Sequence, residues 1–261
     1  MLHISIKPEV IFTLFGLPVT NSLLTGWFVV IIMAIMGIYF SLNVHNKDSR
    51  VIFFMKYVLL QMYTFFKPIL GHLTNTLFPI VMSLFLFILF ANWMGLLPGF
   101  GSIMINKTEQ HVEKSVDTHD ETTPAKEEHH EAPVPLFRGA TADLNMTFAL
   151  AIFVFVLVQF YGFKELGLGY AKKFISLTNP INFFIGILEL VSEFSKILSF
   201  AFRLFGNIFA GEVLLAVIAF LIPVLASFPF LLMEIFVGLI QALVFALLTA
   251  VFIQSATAKH H

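Results

Sequence analysis

The sequence predicts an all-α integral membrane protein, and three observations carry that prediction. The 261-residue chain is 58% hydrophobic and only 12% charged. Its mean hydropathy is +0.91, and its charges gather in clusters between long apolar runs. Five of those runs reach the roughly 20 residues that an α-helix needs to cross a bilayer. Residues 23–42, 77–97 and 144–163 are of single-crossing length. Residues 182–222 and 227–255 are longer than upright crossings require, so strongly tilted helices are expected there. Pro223 and Pro229 mark the turn between these two.

Residues 51–76 are apolar but carry Lys56, Gln61, Lys67 and His72, the pattern of an interfacial amphipathic helix, which Pro68 should break or kink. The first apolar run follows no basic segment and precedes no small-residue cleavage pattern, so it reads as a retained span. Lys47, Arg50 and Lys56 follow the first span, Lys164, Lys172 and Lys173 the third, and Lys259 the fifth. Five alternating crossings put all of these on one side, with the N-terminus outside and the C-terminus in the cytoplasm. The whole of residues 1–261 then forms a single membrane domain, with residues 101–137 as an acidic, histidine-containing external loop. That loop is too poor in apolar residues to fold alone and is expected to be flexible. Its histidines suggest metal, but nothing fixes a ligand geometry, and a solvated acidic insertion is the better reading. The absence of cysteine excludes disulfides, thiolate metal sites and cysteine nucleophiles.

Charged and amide side chains inside the last two helices carry the functional signal. Glu189, Glu193, Lys196, Ser199, Arg203 and Asn207 follow one another at steps of three or four residues, which places them along one helix face. A guanidinium keeps its proton under protein conditions, and placing it mid-membrane costs roughly 3 kcal/mol on insertion scales. Arg203 therefore needs a negative partner, best sought on another chain, although a snorkelling or internally paired arginine is an alternative. Glu193 and Lys196 could simply neutralise each other as an i,i+3 pair. Glu212 is turned about 180° from Arg203 and is expected to look elsewhere, across to the fifth helix. That helix offers Glu234 and, seven residues on, Gln241. Buried carboxylates at Glu212 and Glu234, with Asn207 and Gln241 between them and the arginine, resemble a protonatable path that stops at a cation. Alternatively the two carboxylates sit at helix ends among lipid headgroups. Gly206, Gly211, Ala201 and Ala210 leave small patches near the arginine, where another helix can approach closely.

The segment Phe202-Arg-Leu-Phe-Gly-Asn-Ile-Phe-Ala-Gly-Glu212 resembles subunit a of F-type ATP synthases. Further similarities follow in the same order: Asn92-Trp-Met-Gly-Leu-Leu-Pro98, Thr141-Ala-Asp-Leu-Asn-Met-Thr147, Asn179-Pro-Ile-Asn182, Glu189-Leu-Val-Ser-Glu-Phe-Ser-Lys196 and Ile240-Gln-Ala-Leu-Val-Phe-Ala-Leu-Leu-Thr249. Only the acidic insertion falls outside the resemblance. It implies that Arg203 faces the carboxylate of a rotating c-ring. Asn207, Glu212, Glu234 and Gln241 would lie on an outer proton half-channel, and Glu189, Glu193 and Ser199 on an inner one. Some members carry histidine at one of the two outer acidic positions, whereas here both are glutamate. The implied partners are the c-ring, b-type peripheral stalk subunits and the lipid bilayer, with protons as the transported ion. No cofactor, metal or nucleic acid is implied, the chain is not catalytic alone, and the expected location is a bacterial inner membrane.

Competing readings predict different features. A secondary transporter binding an anionic substrate at Arg203 calls for internal repeats and broken helices, and neither is visible in the sequence. A purely structural subunit predicts that Arg203 and Glu212 are individually replaceable. An intramembrane hydrolase lacks its nucleophile, since there is no cysteine and no histidine in the fourth or fifth helix.

Overall fold

The structure is a computed structural model, and it describes residues 9–14, 16–45, 49–97, 104–105, 134–174, 180–221 and 227–258. The chain opens with an antiparallel hairpin, β1 (Val10–Leu14) and β2 (Leu17–Thr20), turned at Gly16, whose φ of +82° favours glycine. Helices α1 (Asn21–Asn43), α2 (Arg50–Leu70) and α3 (Thr74–Leu96) follow. A two-residue ladder of β3 (Met104–Ile105) and β4 (Val134–Pro135) comes next. The chain continues through α4 (Leu144–Leu166), the short α5 (Leu168–Phe174), α6 (Pro180–Leu221) and α7 (Ser227–Thr257).

Helix starts are written in side chains. The Thr20 hydroxyl accepts from Leu23 N–H, Ser49 from Ile52 N–H, and Asp143 from Asn145 N–H, each satisfying a first-turn donor. Two helices end on glycine in the left-handed φ range, α2 at Gly71 (φ 55°) and α4 at Gly167 (φ 56°).

Five stretches among the described residues are long and apolar enough to cross a membrane, as expected. Helix α6, at 42 residues, is about 63 Å long, roughly twice the hydrocarbon thickness of a bilayer. Residues 50–96 pass that test as one stretch, but Gly71 and a 3₁₀ turn (Gly71–Leu73) divide it into α2 and α3. Pro68 does not break α2. It sits in the last turn, and the helix runs two residues further. The N-terminal hairpin and α5 were not expected. Pro223 and the acidic stretch 106–133 lie outside the described residues, while the β3–β4 ladder joins the two ends of that stretch.

The core lies where α3, α4, α6 and α7 meet. Leu77, Val81 and Ile88 from α3, Val154 from α4 and Leu204 from α6 are buried there. Helix α7 presents Ala242, Ala246 and Ala250 at four-residue steps, fully buried, and so lets neighbouring backbones come close. Polar contacts tie the helix ends into two groups, as alternating crossings require. At one end Asn21 donates to the Pro135 carbonyl, the Ser22 hydroxyl donates to Asp143, and Arg138 meets Glu212. At the other, His72 approaches Glu165 at 3.6 Å and Gly71 packs beside Gln254.

Candidate functional site

Helix α6 does not present its polar residues as one stripe. At 100° per residue, Glu193 lies about 80° around the axis from Arg203 and 120° from Ser199. The neighbours resolve that offset. Glu193 is buried at 3% exposure, together with Phe200, Ala201, Leu204 and Gly211. Ser199 and Arg203 are exposed on the opposite margin, with Ser192, Gly206 and Ala210. The small residues near the arginine therefore divide: Ala201 and Gly211 face the core, Gly206 and Ala210 face outward. A methyl group on Gly206 would meet nothing within 4 Å. Among the described residues none forms an ion pair or hydrogen bond with the Arg203 guanidinium.

Helices α6 and α7 run antiparallel in a register that two contacts fix. The Phe200 and Phe245 rings lie 4.8 Å apart between centroids. A methyl on Gly211 would overlap the Glu234 carboxylate. The same register places Gln241 at the level of Leu204, offset from Arg203 along the helix axis by one residue's rise of about 1.5 Å. The Gln241 Nε2 and Asn207 Nδ2 atoms are both buried without a hydrogen-bond partner among the described residues. An unmade bond of this kind costs about 1–3 kcal/mol, so two such donors close to the level of the arginine mark a polar seam through an apolar bundle.

The two carboxylates beyond it are held differently. Glu234 is 5% exposed, rests on the Gly211 backbone, and has no hydrogen-bonding or cationic partner among the described residues. Glu212 does not turn to α7 as the sequence suggested. Its Oε2 accepts from Arg138 Nε at 3.3 Å, and the Gly139 amide lies against the same carboxylate. The reason is the close approach of the chain ahead of α4, where a methyl on Gly139 would sit 3.0 Å from Glu212 Oε1. Arg138, 74 residues earlier in sequence, had signalled nothing beyond a loop boundary.

Towards the other end of α6, Glu193 is neutralised by Lys196 at 2.6 Å and accepts from Gln159 of α4 at 3.4 Å. The Lys196 ammonium also lies 5.0 Å from the centre of the Phe252 ring. Glu193, Lys196, Val158, Phe200 and Phe252 border a cavity of about 10 Å³, room for roughly one water. Tyr170 of α5 packs beside this cluster, its ring seated on Gly162, where a methyl would lie 2.7 Å from Cζ. Burial, with Glu193 and Glu189 nearby, pushes the Tyr170 phenol up to about 12. Glu189 is half-buried and has a partner of its own.

Helix α3 braces α7 beside Glu234. Asn92 Nδ2 donates to the Gly238 carbonyl at 3.1 Å, Trp93 Nε1 donates to the Ile235 carbonyl at 3.0 Å, and Thr141 Oγ1 orients Asn92 by donating to Oδ1 at 2.7 Å. Two segments noted only for their resemblance, at Asn92 and at Thr141, are thus one buried hydrogen-bond chain.

Apolar helices of this number, enclosing amide, acidic and cationic side chains, define a polytopic membrane protein with an ionisable interior. Residues 23–254 match the family model described as ATP synthase A chain, and the chain belongs to that family. It is a membrane subunit of ATP synthase, in the proton-translocating sector of that enzyme.

Proposed function

We propose that this subunit supplies two offset proton half-channels to a rotating c-ring and that Arg203 separates them. The observation that carries this reading is the state of Arg203. It is an exposed cation near the middle of a 42-residue apolar helix, without a counter-charge among the described residues and flanked by Ser199, Gly206 and Ala210. Small side chains permit a helix of another chain to come close, and the fixed charge calls for a carboxylate on it.

The outer half-channel runs past Glu234, Glu212, Asn207 and Gln241, and the inner one past Glu189, Glu193 and Ser199, with the Glu193–Lys196 pair bounding it. A proton entering from outside neutralises a rotor carboxylate, which can then turn into lipid at low cost, whereas an ionised one cannot. After nearly a full turn the site reaches the inner half-channel, loses its proton and passes Arg203 as an anion. Because the guanidinium cannot neutralise itself, it stabilises that anion and denies protons a direct route between the half-channels. The b-type stalk subunits hold the assembly against rotation. The chain works as one membrane domain over residues 1–261, with the acidic segment 101–137 and the N-terminus outside and the C-terminus in the cytoplasm of a bacterial cell.

The test is ATP-driven proton pumping in membrane vesicles, wild type against Arg203→Ala, with passive leak recorded in parallel. Loss of pumping in an assembled complex is expected. Pumping at the wild-type rate would overturn the assignment.

A further inference from the structure

We propose that the N-terminal hairpin is a membrane-surface anchor: Phe12 and Leu14 of β1 sit among the lipid headgroups of the leaflet where α1 begins. On the orientation proposed above this is the outer leaflet, and only that sidedness rests on the earlier reading.

Residues 10–20 carry no charged side chain and are rich in Val, Ile, Leu and Phe. Cross-strand partners share a face of a ladder. Phe12 pairs with Val19 and Leu14 with Leu17, while Thr13 pairs with Pro18 on the opposite face. The first face is only partly covered. Val19 is 2% exposed, whereas Phe12 and Leu14 are 41% and 43% exposed. A hairpin bathed in water normally protects its edges with charge, and this one has none. Nor is it a loose arm. The Asn21 amide donates to the Glu9 carbonyl at 3.0 Å, the Thr20 hydroxyl caps α1, and Asn21 Nδ2 donates to the Pro135 carbonyl at 3.3 Å.

The length of α1 sets the depth of the hairpin. Its 23 residues span about 35 Å, slightly more than the hydrocarbon thickness. Asn21 therefore stands at the hydrocarbon boundary, and the hairpin joined to it lies in the interfacial layer. Exposed apolar surface continues down the helix through Trp27, Val30 and Ile31, and tryptophan favours the region near the headgroups. Open strand edges are not tolerated in hydrocarbon, which excludes a deeper seat. In the interfacial layer, water and headgroups serve the strand edges while Phe12 and Leu14 leave water. Helix α1 has need of such a hold. Its buried residues are Asn21, Ser22, Thr25, Gly26 and Val29, so the bundle grips it only near this end.

The chain has no cysteine, so a nitroxide spin label can be attached at a single chosen position. Phe12→Cys and Leu14→Cys report one face, and Thr13→Cys the other; if one of the first pair fails to accumulate, the second reads the same face. The whole complex, with its other subunits freed of cysteine, is placed in vesicles of phosphatidylethanolamine and phosphatidylglycerol. Power saturation then compares collisions with oxygen, which concentrates in lipid, and with a water-soluble nickel chelate. Oxygen is expected to dominate at Phe12→Cys and Leu14→Cys and nickel at Thr13→Cys, a reversal between adjacent residues. Nickel dominance at all three would place the hairpin in water and overturn the anchor. An immobilised label shielded from both agents at Phe12→Cys and Leu14→Cys would overturn it in favour of a seat on another subunit. Oxygen dominance at all three would overturn the shallow depth. Sidedness is read separately, from reaction of Thr13→Cys with a membrane-impermeant thiol reagent in sealed vesicles of known orientation. Reaction from the cytoplasmic side would overturn the orientation and leave the anchor standing.

Discussion

Replacing Gly211 by alanine tests how closely α6 must approach Glu234. The added methyl would lie 2.6 Å from Glu234 Oε1 and closer still to the rest of the carboxylate, where ordinary contact begins at 3.4 Å. The carboxylate must therefore withdraw by about 1 Å. The atoms it meets are the far end of a flexible side chain, so the shift costs less than the roughly 1–3 kcal/mol of core overpacking, an amount an assembled complex can survive. The functional cost is larger, because a displacement of about 1 Å at a reacting group slows a positioned reaction by on the order of 100-fold, or about 2.7 kcal/mol of barrier. Pumping per assembled complex should thus fall between about tenfold and 100-fold for Gly211→Ala. Gly37→Ala is the control, since Gly37 of α1 is exposed and a methyl there meets nothing within 4 Å. The assay is quenching of a pH-sensitive dye by ATP-energised vesicles, with complex quantified by immunoblot. Gly211→Ala pumping within about twofold of Gly37→Ala would refute the claim that Glu234 works from its seat on Gly211.

Gly206→Leu should leave the subunit's own packing intact, because that position is open within 4 Å, yet abolish pumping if a rotor helix sweeps this face; normal pumping would exclude close approach there. Lys196→Met leaves the Glu193 carboxylate buried and unpaired and should destabilise the subunit by about 3–5 kcal/mol, whereas Lys196→Met/Glu193→Met should be near neutral. Thermal aggregation of the solubilised complex separates the two cases, and equal loss in both would show that the pair is not an isolated charge couple. Tyr170 carries its phenol up to about 12 from an ordinary 10.0, so the folded state holds the proton more tightly. Its contribution is present below pH 10 and is lost as pH rises towards 12. Tyr170→Phe should flatten that alkaline decline, which melting curves across this range would reveal.

Run length and polarity made the five crossings legible, with boundaries within three residues of the helices formed, because hydrocarbon thickness sets a length that sequence can be measured against. Arg203 stood out for a different reason, since an obligate charge in an apolar run admits few explanations, and the structure leaves it exposed without a counter-charge among the described residues. What the sequence could not reveal was which way each polar residue turns. Steps of three and four residues kept Glu193 and Ser199 on nominally one face, and only the seating of α4 and α7 against α6 buried one and exposed the other. The Arg138–Glu212 pair spans 74 residues with no local pattern to announce it. The hairpin at Val10–Leu14 and Leu17–Thr20 is apolar without clean alternation, and Gly16 was its one turn signal. Helix α5, at seven residues, is too short for periodicity to declare.

The register of α6 against α7 has a consequence for how freely this protein can be rebuilt. Gln241 is brought level with Arg203 by Gly211 under Glu234 and by Phe200 against Phe245, all inside the helices. The alignment is therefore carried by helix-to-helix packing at two levels, one on either side of Gln241 along α7. A residue inserted into α7 between Glu234 and Gln241 would rotate the two by about 100° relative to each other, so that both could no longer keep their places against α6.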